Sequence, residues 1–399
     1  LLITNAHLLE PATGTITEGW LEIAGGRIVD TGEGTAPSDG DLDAAGATVL
    51  PGLIDAHVHL LLTSLDPQDT ASWSAGYATV RALREAERML RRGFTTVRDV
   101  GGADYGMARA LQEGLALGPR LVFGGKALSQ TGGHGDFRRL TDSSIPCCQS
   151  HAGFARIADG VDAVRTAARD EFRKGAKHLK VLVSGGVASP HDDLAAVQYS
   201  DEELRAAVEE AENHGRYVTA HAYHPRAINR ALRAGVRCIE HGNLLDEETL
   251  ELLVEKDAFL VPTLITYDQL AAFGLHPEKL SLVRDEGLAA LEKAHRAGVN
   301  LVYGSDLLGP MQPAQLQEFT LRAQVQPPAD VLRAATANAA RLLGLAGQIG
   351  TLAVGAHADL IVVDGNPLDD IRVLTDPDRY LRHVIRGGVT VAPEKGRSV

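Results

Sequence analysis

Between Leu50 and Asp306 the chain alternates short apolar runs with amphipathic stretches, and this repetition limits the fold more than any other feature. Eight runs read as strands: Val49–His57, Thr95–Asp99, Arg120–Gly124, Leu179–Ser184, Tyr217–His221, Cys238–His241, Phe259–Thr263 and Leu301–Gly304. The stretches between them carry helical periodicity, as in Ala78–Arg91, Val161–Lys174, Asp201–Asn213 and Leu280–Arg296. Ser200 and Glu203 have the spacing of a capping box. Gly93, Gly175, Gly215, Gly235 and Gly298 each follow a helical run and precede a strand, where a left-handed C-cap belongs. The pattern predicts an α/β fold, a closed (β/α)8 TIM barrel over residues 50–347, with a doubly wound open sheet as the alternative. The flanks, 1–49 and 348–399, instead show period-two runs such as Trp20-Leu-Glu-Ile23 and Ala358-Asp-Leu-Ile-Val-Val363. Both termini are therefore expected to build one small β-sandwich beside the barrel.

Composition narrows the partners. The chain has 52 acidic against 39 basic residues, a formal net charge of -13, which argues against nucleic acid or an anionic membrane surface as the main partner. No apolar run reaches the roughly 18 residues that a membrane helix requires. The three cysteines, Cys147, Cys148 and Cys238, are odd in number and lack C-x-x-C spacing, so no disulfide framework is implied. A reducing, cytoplasmic setting is the expectation, with a removed leader left open. The Cys147–Cys148 pair is a weak candidate for a soft metal.

The chemistry gathers at strand ends. In Leu50-Pro-Gly-Leu-Ile-Asp-Ala-His57-Val-His59, residues i and i+2 of a strand point the same way, so two imidazoles share one side. Alone, such a pair is more often two solvated loop histidines. Here the later strand ends add Lys180, His221, His241 and Asp306, and in a closed barrel all of these converge on one face. A bare lysine between Leu179 and Val181 would be costly to bury. His241 could otherwise be a satisfied core histidine, and Asp306 a loop cap. Gln130-Thr-Gly-Gly-His134-Gly-Asp136 places His134 in a glycine-rich loop after the third strand. Tyr223 points with His221 if that strand continues, and either binds a substrate carboxylate or packs. His191 and His224 read as loop histidines.

With these residues the chain resembles the amidohydrolase superfamily, from its first β segment to Gly355-Ala-His-Ala-Asp-Leu-Ile-Val-Val363. The resemblance is to the two-metal branch. It implies two divalent ions, zinc by default, with His57, His59 and Asp306 on the more buried ion and His221 and His241 on the exposed one. Carboxylated Lys180 would bridge them, its carbamate supplying a negative charge and two oxygens. Metal coordination lowers the pKa of water from near 16 to about 7, which makes a bridging hydroxide available as nucleophile. Asp306 would take its proton and pass it to the leaving nitrogen, and His134 would donate a hydrogen bond to the scissile carbonyl.

Thr131-Gly-Gly-His134-Gly-Asp136, Lys180-Val-Leu-Val-Ser-Gly-Gly186, His221-Ala-Tyr223 and Glu240-His241-Gly242 are similar to the imidazolonepropionase-related group, nearest its prolidase-like dipeptidases and carboxypeptidases. The implied substrate is a small molecule, a dipeptide or N-acyl amino acid; a homo-oligomer is allowed. Hydrolysis of another amide, a carbamate, a lactone or a phosphotriester is the alternative, and a non-catalytic interaction protein the remote one. The segments Phe259–Thr266 and Leu307–Gln315 are expected to line the leaving-residue pocket. The second has no charge, which favours a small or apolar leaving residue unless Asp136, Asp192, Asp193 or Asp268 supplies an acid.

Overall fold

The computed structural model describes residues 1–138, 140–142, 153–189, 192–275 and 277–393. Cys147, Cys148 and His191 lie outside the described residues. A ring of parallel strands forms the centre: Leu53–Val58, Phe94–Asp99, Arg120–Phe123 continued by Ala127–Ser129, Leu179–Leu182, Val218–Ala222, Cys238–His241, Phe259–Val261 and Asn300–Leu301. Each pairs in parallel with the next. The ring closes where Ala56 donates its N–H to the Tyr303 carbonyl at 2.9 Å and Asp306 donates to the His57 carbonyl at 2.8 Å. The barrel is therefore closed, and the open-sheet alternative is excluded.

One expected strand is divided and the third barrel strand resumes beyond its expected end at Gly124, with glycines at both places. Val49–His57 is two strands in different sheets: Thr48–Pro51 pairs antiparallel with Leu360–Val363, and Leu53–Val58 starts the barrel. Gly52 sits between them against the Thr95 side chain, where no Cβ would fit, and donates its N–H to the Asp359 carbonyl. The third barrel strand breaks at Gly124 and Gly125; a side chain on Gly124 would meet the His178 ring at 2.6 Å. Its first half pairs with the second strand and its second half with the fourth.

The helices lie where the periodicity puts them, including Ala75–Arg91, Val161–Arg173, Asp201–Asn213 and Pro277–Arg296. The Ser200–Glu203 capping box is formed in both directions. All five C-cap glycines have φ between 63° and 103°. Among the described residues, none of the helices is long and apolar enough to cross a membrane.

Strands from both termini form one eight-stranded sheet in which Leu2–Glu10 and Thr48–Pro51 bridge the N-terminal hairpins to Leu360–Val363, Leu381–Arg386 and Val389–Val391. Ile3, Leu21, Ile28, Val49, Leu360 and Ile385 share a separate apolar core. The sheet must curl for residues from its two flanks to meet there. Its strand Thr48–Pro51 leads directly into the first barrel strand, and thereby ties the β domain to the base of the site.

Candidate metal centre and active site

The C-terminal ends of the barrel strands and the loops after them bring His57, His59, His134, Lys180, His221, Tyr223, His241 and Asp306 to one pocket. Ring centroids lie 5.2 Å apart for His57–His59, 5.2 Å for His57–His241 and 4.6 Å for His221–His241. His134 stacks on His221 at 4.2 Å. Asp306 Oδ1 is 3.3 Å from His57 Nε2 and 3.4 Å from His59 Nε2. Lys180 is fully buried on the fourth strand. Tyr223 stacks on His241 at 5.1 Å, as expected if the fifth strand continues past His221. His224 does not join the group; it is the N-cap of the helix Pro225–Ala234.

Three non-glycine residues at these strand ends have left-handed backbone: His241 (φ 76°), Thr263 (φ 50°) and Asp306 (φ 51°). Each such residue costs on the order of 1–3 kcal/mol and persists only where its surroundings enforce it. The turn at His241 has a visible use. Strand alternation would send Glu240 and His241 to opposite faces, yet the Glu240 carboxylate and the His241 ring both reach His57.

Each histidine is anchored through one nitrogen, which leaves the other for a ligand. His57 Nδ1 meets Glu240 Oε2 at 2.7 Å, His59 Nδ1 meets the Gly101 carbonyl at 2.9 Å, and His221 Nε2 meets the Gly185 carbonyl at 3.2 Å. His241 Nδ1 lies 2.8 Å from Thr263 Oγ1 and 3.0 Å from the Tyr267 hydroxyl. Burial drives the pKa of His59 down to about 3 and those of His221 and His241 well below the usual value, so these rings are neutral. Burial opposes ionisation of Asp306, but the surrounding imidazoles outweigh it and hold the carboxyl below its usual range. Burial likewise lowers Lys180 to about 8 and His134 to about 4.

Sequence reasoning missed the residues that aim these rings. Glu240 is fully buried between His57 and Arg98, whose Nη2 donates to it at 2.6 Å; Thr219 also bonds it. Asp55 Oδ1 accepts the N–H groups of His57 and Ser305, both at 3.1 Å, and so pins the first strand to the eighth. Asp99 accepts from the N–H groups of Leu60, Gly101 and Ala103 and sets the loop that receives His59. One signal was present: Asp55, His57 and His59 continue a single period-two series.

The pocket wall differs in part from expectation. Of Phe259–Thr266 only Thr266 lines it, joined by Tyr267 and Leu270 from the following helix. From Leu307–Gln315 only Leu308 does; Leu307 and Met311 are buried in the same apolar cluster without lining the pocket. Leu62, Phe137, Phe154, Leu182 and Val187 complete an apolar surround. None of the four acids proposed for the pocket lines it. Asp136 pairs with Arg138 at 2.6 Å and Asp268 with Arg284 at 2.6 Å, while Asp192 and Asp193 sit by an outer groove.

A cation fits the donors present. Ligand atoms of His57, His241 and Asp306 all lie within 4.8 Å of one another. Buried imidazoles around an ionised carboxylate are a donor set for a transition metal such as zinc; Asp306 and Glu240 raise the pKa of His57 against the effect of burial, and a bound cation would displace its proton. Fold and site together define a barrel hydrolase of the kind that works with divalent ions. The amidohydrolase family profile matches residues 48–391, and the chain belongs to that family, which generally uses divalent metal; it is a hydrolase acting on C–N bonds. It is 36% identical over 363 residues to an ochratoxinase from Aspergillus niger, covering 85% of this chain and 75% of that protein. A crystal structure of a prolidase complexed with N-methylphosphonate-L-proline superposes with a TM-score of 0.94 at 46% identity, covering 98% of this chain and 99% of the other. A Xaa-Pro dipeptidase with bound methionine in its active site gives a TM-score of 0.88 at 28% identity, covering 98% and 99%.

Proposed function

We propose that this chain hydrolyses the amide bond of dipeptides or N-acyl amino acids with an apolar leaving residue. In this reading His57, His59 and Asp306 would hold one divalent ion and His221 and His241 a second, with Lys180, once carboxylated, a ligand shared by both and zinc the default metal. The observation that carries it is the cluster of buried imidazoles around ionised Asp306 and buried Lys180, opening into an apolar pocket. The prolidase, dipeptidase and ochratoxinase relatives support the same reading.

Bound divalent ions supply Lewis acidity and a water of lowered pKa. The chain's own residues do the rest. Asp306, ionised and 3.3 Å from His57, takes a proton from the attacking water and returns it to the amide nitrogen as the C–N bond breaks. His134 hydrogen-bonds the scissile carbonyl from the pocket wall. Burial pushes the Tyr223 hydroxyl pKa up, so it stays protonated and donates to the substrate carboxylate. Phe154, Leu62 and Leu270 shed water from the leaving residue's side chain. A partially neutral amine at Lys180 is the form that reacts with carbon dioxide.

The test is a mass-spectrometric screen of dipeptides and N-acyl amino acids with zinc- and bicarbonate-loaded protein beside Asp306→Asn. Wild type alone should release free amino acids, with Leu, Phe or Pro leaving faster than Arg or Lys. No turnover of any amide with both metals present refutes the peptidase reading; faster release of Arg refutes the apolar preference. Carbamates, lactones and phosphotriesters would then be the substrates to try.

A further inference from the structure

His134 is held from behind by residues that no part of the reaction above uses. Its backbone N–H donates to Gln198 Oε1 at 3.0 Å, and its Nδ1 lies 2.8 Å from Ser189 Oγ. Ser189 Oγ is also in contact with Asp192 Oδ1. Asp192 Oδ2 accepts from the Gly186 N–H at 3.1 Å and from Gln198 Nε2 at 3.2 Å. Ser189 is 2% exposed and Asp192 8%, so these are buried polar groups that only a complete network makes tolerable. Lys279, from the helix Pro277–Arg296, closes the network from outside. Its Nζ donates to the carbonyls of Gly186 (3.1 Å), Ser189 (2.8 Å) and Asp192 (2.5 Å), and lies 3.5 Å from Asp192 Oδ1.

The arrangement is specific to this one ring. Gly186 packs so closely on His134 that a Cβ would enter the imidazole, so the ring is fixed on one flat face by Gly186 and on the other by His221. Those contacts set its plane but not which nitrogen faces the pocket. The Ser189 contact decides that: its hydroxyl donates to Nδ1, so the ring's own proton sits on Nε2, which faces the pocket and can donate to the substrate carbonyl.

We infer that Ser189 and Asp192 are positioning residues for the reaction, aiming His134 at the scissile amide, and that Lys279 locks them by fixing the segment that carries both. The inference rests on the role given to His134 above. It implies that the two residues matter only through His134, which a merely structural loop brace would not.

Steady-state kinetics of Asp192→Asn and Ser189→Ala, in wild-type and His134→Ala backgrounds, test it with the fastest amide of the screening panel. In the wild-type background each should lower kcat about tenfold or more with KM little changed, the usual scale for a group that orients an active-site histidine. Zinc content should stay at the wild-type level, and Ser189→Thr, which keeps the hydroxyl, should restore most of the rate. In the His134→Ala background Asp192→Asn should cost less than about twofold further, because residues acting through one another are not additive. An equal loss in both backgrounds, or no loss in the wild-type background, overturns the inference. No loss from His134→Ala by itself refutes the role of His134 instead, so the two failures are distinct. Ser189→Ala deletes one oxygen and keeps the test available should Asp192→Asn fail to fold.

Discussion

Glu240 is the residue whose replacement should reveal most about how this site is built. Its carboxylate is fully buried, 2.6 Å from Arg98 Nη2 and 2.7 Å from His57 Nδ1. Burial resists its ionisation, but Arg98 and then His57 hold it well below the usual carboxylate range. At 2.6 Å and an effective dielectric near 20, the gross attraction to Arg98 is roughly 6 kcal/mol. Desolvation cancels part of that, so removing the charge and stranding the guanidinium should cost about 3–5 kcal/mol. Glu240→Gln keeps the shape and removes the charge, so packing loss does not confuse the result. A double variant, Arg98→Met with Glu240→Leu, removes both charges and should recover most of the stability, because matched apolar groups replace such pairs at little cost. It should not recover activity, since His57 has still lost the acceptor that orients it. Urea unfolding followed by circular dichroism, with zinc content and amidase rate on the same samples, separates the two effects. If Glu240→Gln melts with wild type and binds full zinc, the buried pair neither stabilises the barrel nor aims His57. If the double variant is fully active, orientation by Glu240 is wrong.

Lys180→Ala should lose at least one zinc per chain, and labelled bicarbonate should give a carbamate carbon resonance in wild type that is missing from the variant. Gly186→Ala should fold but lose most of its activity, because the new methyl group meets the His134 ring; an unimpaired rate would mean the loop yields freely. Burial raises the pKa of Glu318 from 4.5 to about 8. The folded state thus resists ionisation that the unfolded chain accepts, and this contribution to stability, present below about 4.5, is lost as pH rises toward 8. Glu318→Gln should flatten the fall in melting temperature across that window, and an unchanged slope would show that Glu318 is ionised in the native protein.

The sequence by itself determined the kind of object this is. Apolar runs alternating with helical periodicity specify strands and crossovers locally, so eight barrel strands could be counted from Leu50 to Asp306. The H-x-H pair, Lys180, His221, His241 and Asp306 could be read as one group because the ends of parallel barrel strands must meet. What it did not determine was how each ring is turned. His57 takes its orientation from Glu240, 183 residues away, and His134 from Ser189, 55 residues away. No local pattern encodes such pairs, because they exist only after the barrel closes. The division at Gly52 was hidden for a related reason: Thr48–Pro51 joins the terminal sheet through Leu360–Val363, a partner more than 300 residues distant. Likewise, only packing decided that, of three residues in one apolar cluster, Leu308 lines the pocket and Leu307 and Met311 do not. Residue chemistry at strand ends is local and legible; the direction in which each group points depends on what packs behind it, and that belongs to the tertiary structure.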